Sequence, residues 1–271
     1  MKAIIEFCAI FAVGILNHVM GAFFYFVRSD YEQIFSPTEN LLRLWWASLS
    51  GISVVLLVAI NQPEGLASVG IVASDATPLF VGIVSISLIV LFLGGVQGLI
   101  NYFLRPSPEN KTLLSNPVAK RVAQYQNKLG KSAYLTVLPF AVASEELIYR
   151  GYLVLMLGRR THTYLPWVIL SVALSVIIHL YQGRSVTNVL YYAIFALCFI
   201  GLAVWTGNIM TPIVAHLYYD LMWTFGVWEK ATVQLVNHRH SKSKSFLYLV
   251  LIVVNLLLLL VMLSWMISFA N

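Results

Sequence analysis

The sequence predicts an all-α integral membrane protein, a polytopic transmembrane helical bundle of about eight spans, and three observations carry that prediction. Of its 271 residues 59% are hydrophobic and 10% charged, with a mean hydropathy of +0.82. A soluble domain of this size exposes far more charge. The apolar residues are gathered into runs of about 20, enough at 1.5 Å per residue to cross a hydrocarbon core of ~30 Å. The basic residues are sorted as well. Of the 17 Lys and Arg, Lys2, Arg159 and Arg160 alone fall on one side of the resulting topology and Arg150 lies within a run, leaving 13 on the other side. Positive charge marks the cytoplasmic side, so both termini are expected outside.

The runs are 3–27, 41–60, 79–104, 134–157, 164–181, 187–206, 209–228 and 246–269. The first begins like a signal peptide. The stretch Met1–Val27 holds a single basic residue, Lys2, and Glu6, runs too long, and has no clear small-residue cleavage site, so it is expected to remain as a first span. The long loop, 105–132, is expected to face the cytoplasm and to hold a short amphipathic helix. Asn116 can cap it, Pro117 suits its first turn, and Val118, Val122, Tyr125 and Leu129 share a face before Gly130. Lys120, Arg121 and Lys128 flank that face and suit the anionic headgroups of the inner leaflet. Cys8 and Cys198 fall in apolar runs and are expected to be buried free thiols. No repeat and no linker divides the chain, so 1–271 is expected to be one membrane domain with its functional core at 134–228. No nucleic-acid partner is expected, and a monomer is the default.

The fourth run carries Ser144-Glu145-Glu146-Leu147-Ile148-Tyr149-Arg150-Gly151. Each charge at the centre of a lipid-facing helix costs about 2.5–3.5 kcal/mol on insertion scales, so these need a reason. Glu146 and Arg150 are four residues apart with the acid first, the favoured order for a helical ion pair. Glu145 is turned about 100° away and is left for other work. His179 follows near the cytoplasmic end of the fifth run, and the seventh carries His216 and Asp220 on one helical face. Counted from their cytoplasmic ends, Glu145 lies about 16 Å deep and His216 about 18 Å deep, so the two levels match. His179 is shallower, and a wet cavity open to the cytoplasm would join the three. His18 has no acidic neighbour in sequence and reads as a packing residue.

These residues resemble the motifs of the CAAX protease and bacteriocin-processing family of intramembrane proteases, also labelled CPBP or Abi, which includes the type II CAAX prenyl endopeptidases. The family's Glu-Glu-x-x-x-Arg is matched by Glu145, Glu146 and Arg150. Its Phe-x-x-x-His is matched at His179, with Ser175 where Phe is usual, and its His-x-x-x-Asn or Asp is matched by His216 and Asp220. The likeness covers the fourth to seventh runs, with the motifs in order. It implies an endopeptidase that cuts a membrane-associated peptide or lipidated protein, such as a CAAX-type tail, a leader or an anchor segment. It also implies roles: Glu145 as the base that activates water, His179 as its partner, His216 as the oxyanion donor, and Glu146 with Arg150 as orienting groups. Asp220 would either fix the tautomer of a residue near the water or keep His216 protonated. No cofactor is expected on this reading. A zinc-dependent alternative would use His179, His216 and Glu145 as ligands, although the chain has no His-Glu-x-x-His. Two other classes fit the same residues less well: a non-catalytic immunity or peptide-binding protein, and a transporter with a proton relay. The transporter lacks the paired, broken hydrophobic segments of an inverted repeat.

Overall fold

The run that holds two acids and an arginine becomes the central rod of the bundle. A computed structural model describes residues 2–16, 37–73, 76–104, 131–179 and 186–225, and every regular element among them is helical. In order these are α1 (Lys2–Ala9), continuing as a π-helix over Ile10–Ile15; α2 (Pro37–Ile60), followed by a 3-10 turn at Gly65–Val69; and α3 (Thr77–Leu104). Then come α4 (Lys131–Glu146), continuing as a π-helix over Leu147–Leu157 and a last α turn at Gly158–Thr161; α5 (Leu165–His179); α6 (Val186–Thr206); and α7 (Met210–Thr224). The expected eighth span, the amphipathic helix within 105–132 and His18 lie outside the described residues. Two helical stretches, Leu41–Ile60 and Val189–Thr206, are long and apolar enough to cross a membrane, and Ile5–Ile15, Thr77–Leu93 and Leu165–His179 are shorter apolar helices.

Every residue of the second π-helix is buried. A helix that is apolar on all sides must be enclosed by others, and this one packs against α2, α5, α6, the 3-10 turn and the N-terminal π-helix. Its Leu147, Ile148, Tyr149, Tyr152, Leu153 and Leu155 join Val55 and Ala59 of α2, Ile178 of α5 and Ala203 of α6 in one core. A second core is built from Ile86 and Val90 of α3, Tyr191, Phe195 and Phe199 of α6, and Ala215 of α7.

Lipid tails are as apolar as leucine, so helices in a bilayer associate through close packing rather than escape from water, and small residues mark the contacts. A Cβ on Gly51 of α2 would lie 2.3 Å from the Ser144 hydroxyl of α4, and one on Gly82 of α3 would lie 2.6 Å from the Thr211 carbonyl of α7. Gly151, beside Arg150 on the rod, would bring a Cβ to 3.0 Å from the Val69 carbonyl of the 3-10 turn. Close packing at Gly151 is thus a property of the fold.

At the far end of the rod from Glu145, four separate stretches meet. Glu6 of α1 accepts hydrogen bonds from Arg160 at 2.8 Å and from the Gln62 amide at 3.2 Å. Arg159 donates to the Ala67 carbonyl at 3.1 Å, and the Ile209 N–H donates to the Gly70 carbonyl at 2.8 Å. Gly70 and Gly207 sit at φ +82° and +61°, the left-handed region that lets the chain reverse beside its neighbours without steric cost. Asn208 then caps the start of α7, its side-chain oxygen accepting from the Met210 N–H at 2.9 Å. That turn sets where His216 falls. Cys8 departs from expectation. It is exposed rather than buried, while Cys198 is partly buried and both thiols are free. An apolar run places a residue in the membrane but does not say which of its faces meets lipid.

Candidate active site

Glu146 is the centre of the polar cluster. Its side chain is fully buried, and one oxygen, Oε1, meets Arg150 Nη1 at 3.2 Å and His216 Nδ1 at 2.7 Å. The first contact is the ion pair that the spacing predicts. The second crosses from the rod to α7, because the two residues lie at the same level in the bundle. Arg150 is 3% exposed and Glu146 fully buried, so these two charges face the interior of the bundle, where they can compensate one another. Charge-assisted hydrogen bonds of this kind are about twice as strong as neutral ones.

His216 also approaches Asp220, one turn further along α7, with Nε2 at 3.7 Å from Oδ2. That distance allows attraction but exceeds hydrogen-bond reach. A carboxylate only accepts, so the Nδ1 facing Glu146 carries the proton of that bond. His179, the last residue of α5, holds its Nδ1 2.6 Å from the Ser175 carbonyl one turn earlier. A carbonyl likewise only accepts, so His179 donates from Nδ1 and a neutral ring leaves its Nε2 lone pair open.

Glu145 is half-buried and close enough to His179, His216 and Asp220 to interact electrostatically with all three. The structure therefore gathers all six motif residues, Glu145, Glu146, Arg150, His179, His216 and Asp220, from three helices. It divides the two adjacent acids by environment: Glu146 is locked between a cation and a histidine, and Glu145 is more accessible. Among the described residues no group of three or more His, Cys, Asp or Glu is arranged to hold a metal ion.

Two rings that the motifs do not include lie against the histidines. Tyr192 stacks on His179 with centroids 4.7 Å apart, and Phe199 stacks on His216 at 4.8 Å. The Arg150 guanidinium is 5.6 Å from the centroid of the same Phe199 ring. Ser175, where the second motif carries Phe, is buried, and the ring beside His179 comes from α6 instead. The available sequence signal was the recurrence of aromatic residues at 191, 192, 195 and 199 in a helix without charge.

Together the described residues form an all-helical fold with two helices long and apolar enough to cross a membrane and a buried carboxylate–arginine–histidine network. Residues 130–222 match the family described as Rce1-like, type II CAAX prenyl endopeptidase Rce1-like, which bears out the resemblance drawn from the motifs. That family is one of membrane-embedded peptidases, and the match contains all six motif residues. No curated protein and no solved structure matches the chain.

Proposed function

We propose that this protein is an intramembrane endopeptidase that hydrolyses a peptide bond of a membrane-associated peptide or lipidated protein with water activated by Glu145 and His179. The observation that carries the reading is the convergence of six polar residues from α5, α7 and the central rod inside a segment that matches a peptidase family. Glu145 takes one proton from the water, whose other O–H donates to the open Nε2 lone pair of His179. The oxygen attacks the carbonyl carbon, and the carbonyl oxygen becomes an oxyanion that His216 holds from Nε2. To donate there while Nδ1–H is held by Glu146, the imidazole must carry both protons. Glu146 and Asp220 on its two sides balance that charge. Collapse breaks the C–N bond, and the proton on Glu145 passes to the departing amine. Arg150 and Glu146 hold His216 in register without touching substrate.

The reading includes eight spans, with the site opening toward the cytoplasm, both termini outside, and 105–132 lying on anionic headgroups. The meeting of α1, the 61–71 stretch, the 158–164 turn and the 207–209 turn at one end of the bundle supports that topology, since it assigns all four to one side. No metal takes part in the proposed chemistry. The test is quantitative mapping of peptide termini in membranes from cells carrying the intact protein or Glu145→Gln, a nearly isosteric change. A defined set of termini that disappears with Glu145→Gln identifies a protease and its substrates. Unchanged termini, with the cellular phenotype kept, turn the assignment to a peptide-binding or immunity protein.

A further inference from the structure

α6 contributes none of the motif residues and has no charged side chain, yet it touches both histidines. Tyr192 and Phe199 are seven residues apart, two helical turns, so they stand on one face about 10.5 Å from each other along the axis. The ring planes are nearly parallel to those of their partners, with interplanar angles of 26° for Tyr192 on His179 and 19° for Phe199 on His216. Both aromatic residues are buried, at 8% and 3% exposure, so neither can turn away without disturbing its neighbours.

Each imidazole is fixed by one hydrogen bond at Nδ1, to the Ser175 carbonyl for His179 and to Glu146 for His216. A single bond leaves the ring free to swing about it. A stacked neighbour removes that freedom, and an aromatic pair contributes beyond the area it buries. α6 is itself anchored to α7: the hydroxyls of Tyr191 and Tyr219 are hydrogen-bonded, and Phe195 packs on Tyr219 with centroids 4.7 Å apart. Tyr219 is the residue before Asp220, so the contact sets the register of α6 against the helix that carries His216.

We propose that α6 is the positioning element of the site, with Tyr192 holding the plane of His179 and Phe199 holding the planes of His216 and the Arg150 guanidinium. The inference rests on the protease reading for its consequence but not for its geometry. Tyr192 and Phe199 are positioning residues; they act through the histidines and touch no reacting atom.

The test has two arms. In the first, the full chain in membranes is treated with diethylpyrocarbonate, and modification of each histidine is followed by mass spectrometry in Tyr192→Leu, Tyr192→Phe and Phe199→Leu. Tyr192→Leu should speed modification of His179 about 2- to 10-fold and leave His216 unchanged, and Phe199→Leu should do the reverse, the factor being that of one lost aromatic contact. Tyr192→Phe, which keeps the ring, should match the parent. If neither histidine responds, or if both respond equally to either change, the assignment of α6 fails, because equal responses mean general loosening. This arm needs no proteolysis and stands even if the protease reading falls. In the second arm, with cleavage of a substrate found by terminus mapping, Tyr192→Leu should lower kcat about 10-fold with KM within 2-fold, and Tyr192→Phe should restore it. Cleavage by Tyr192→Leu at the parental kcat, beside an inactive Glu145→Gln, overturns the positioning role while leaving the protease reading intact.

Discussion

Replacing Arg150 by methionine removes the guanidinium that balances Glu146 and keeps an unbranched apolar stem in its place. Both side chains are almost wholly enclosed, at 3% and 0% exposure, so solvent screening cannot compensate. Breaking a buried pair by removing one partner costs about 3–5 kcal/mol. Here the carboxylate keeps its hydrogen bond to His216 at 2.7 Å, and a bond to a charged group contributes about 1.5–3 kcal/mol. The guanidinium's contact with Phe199 adds about 0.5–1 kcal/mol to the loss. The net expectation for Arg150→Met is about 2–3 kcal/mol, or roughly 30- to 150-fold in the folding equilibrium. The assay is a double-mutant cycle of Arg150→Met and Glu146→Gln, with unfolding followed in mixed micelles as denaturing detergent is raised. The pair should couple by about 2 kcal/mol, the double variant being more stable than the sum of the single losses implies. Coupling under about 0.5 kcal/mol would falsify the view that Glu146 depends on Arg150 for its burial.

Other expectations follow from the same contacts. Gly82→Val should destabilise the bundle by about 1–3 kcal/mol, because its side chain meets the Thr211 carbonyl, whereas Gly201→Ala has nothing within 4 Å and should be neutral or slightly stabilising. Thermal midpoints of the two variants in one detergent compare them directly, and equal shifts would contradict the α3–α7 contact. Asp220→Asn should retain cleavage within about tenfold of the parent, since an amide can still face His216, while Asp220→Ala should lose more; rates on one reporter peptide decide between them. Treatment with 1,10-phenanthroline should leave cleavage unchanged. Loss of cleavage that zinc restores would revive the ligand set His179, His216 and Glu145.

Much of this site was legible because the membrane makes charge conspicuous. Glu145, Glu146 and Arg150 stood out against the apolar residues around them, and the i, i+4 spacing alone gave the Glu146–Arg150 pair. Equal depth along two runs brought His216 to the level of the acids, but not to a particular one. Which acid it meets depends on the rotation of α7, which Gly207 and Asn208 set at its start. The aromatic rings were hidden for the opposite reason. Tyr192 and Phe199 sit among Tyr191, Phe195 and other apolar residues, and composition does not separate a ring that meets a histidine from one that meets leucine. The change of the rod to π-helix after Glu146 left no mark in the apolar pattern, because a helix buried on every face has no stripe whose drift would betray a different winding. Exposure of Cys8 was lost to the same uniformity.

The winding of that rod has a consequence for how the chain tolerates changes of length. Bonds from i to i+5 put more residues into each turn than the 3.6 of an α-helix, so Leu147–Leu157 is 11 residues long where an α-helix of equal height needs fewer. The stretch is slack wound into a straight segment, bounded by Glu146 at one end and the Arg160–Glu6 clasp at the other. Losing one residue can be absorbed as the wide turns tighten to ordinary ones, with both ends left in place. Gaining one has nowhere to go, and must rotate either the acids or the clasp out of phase with their partners.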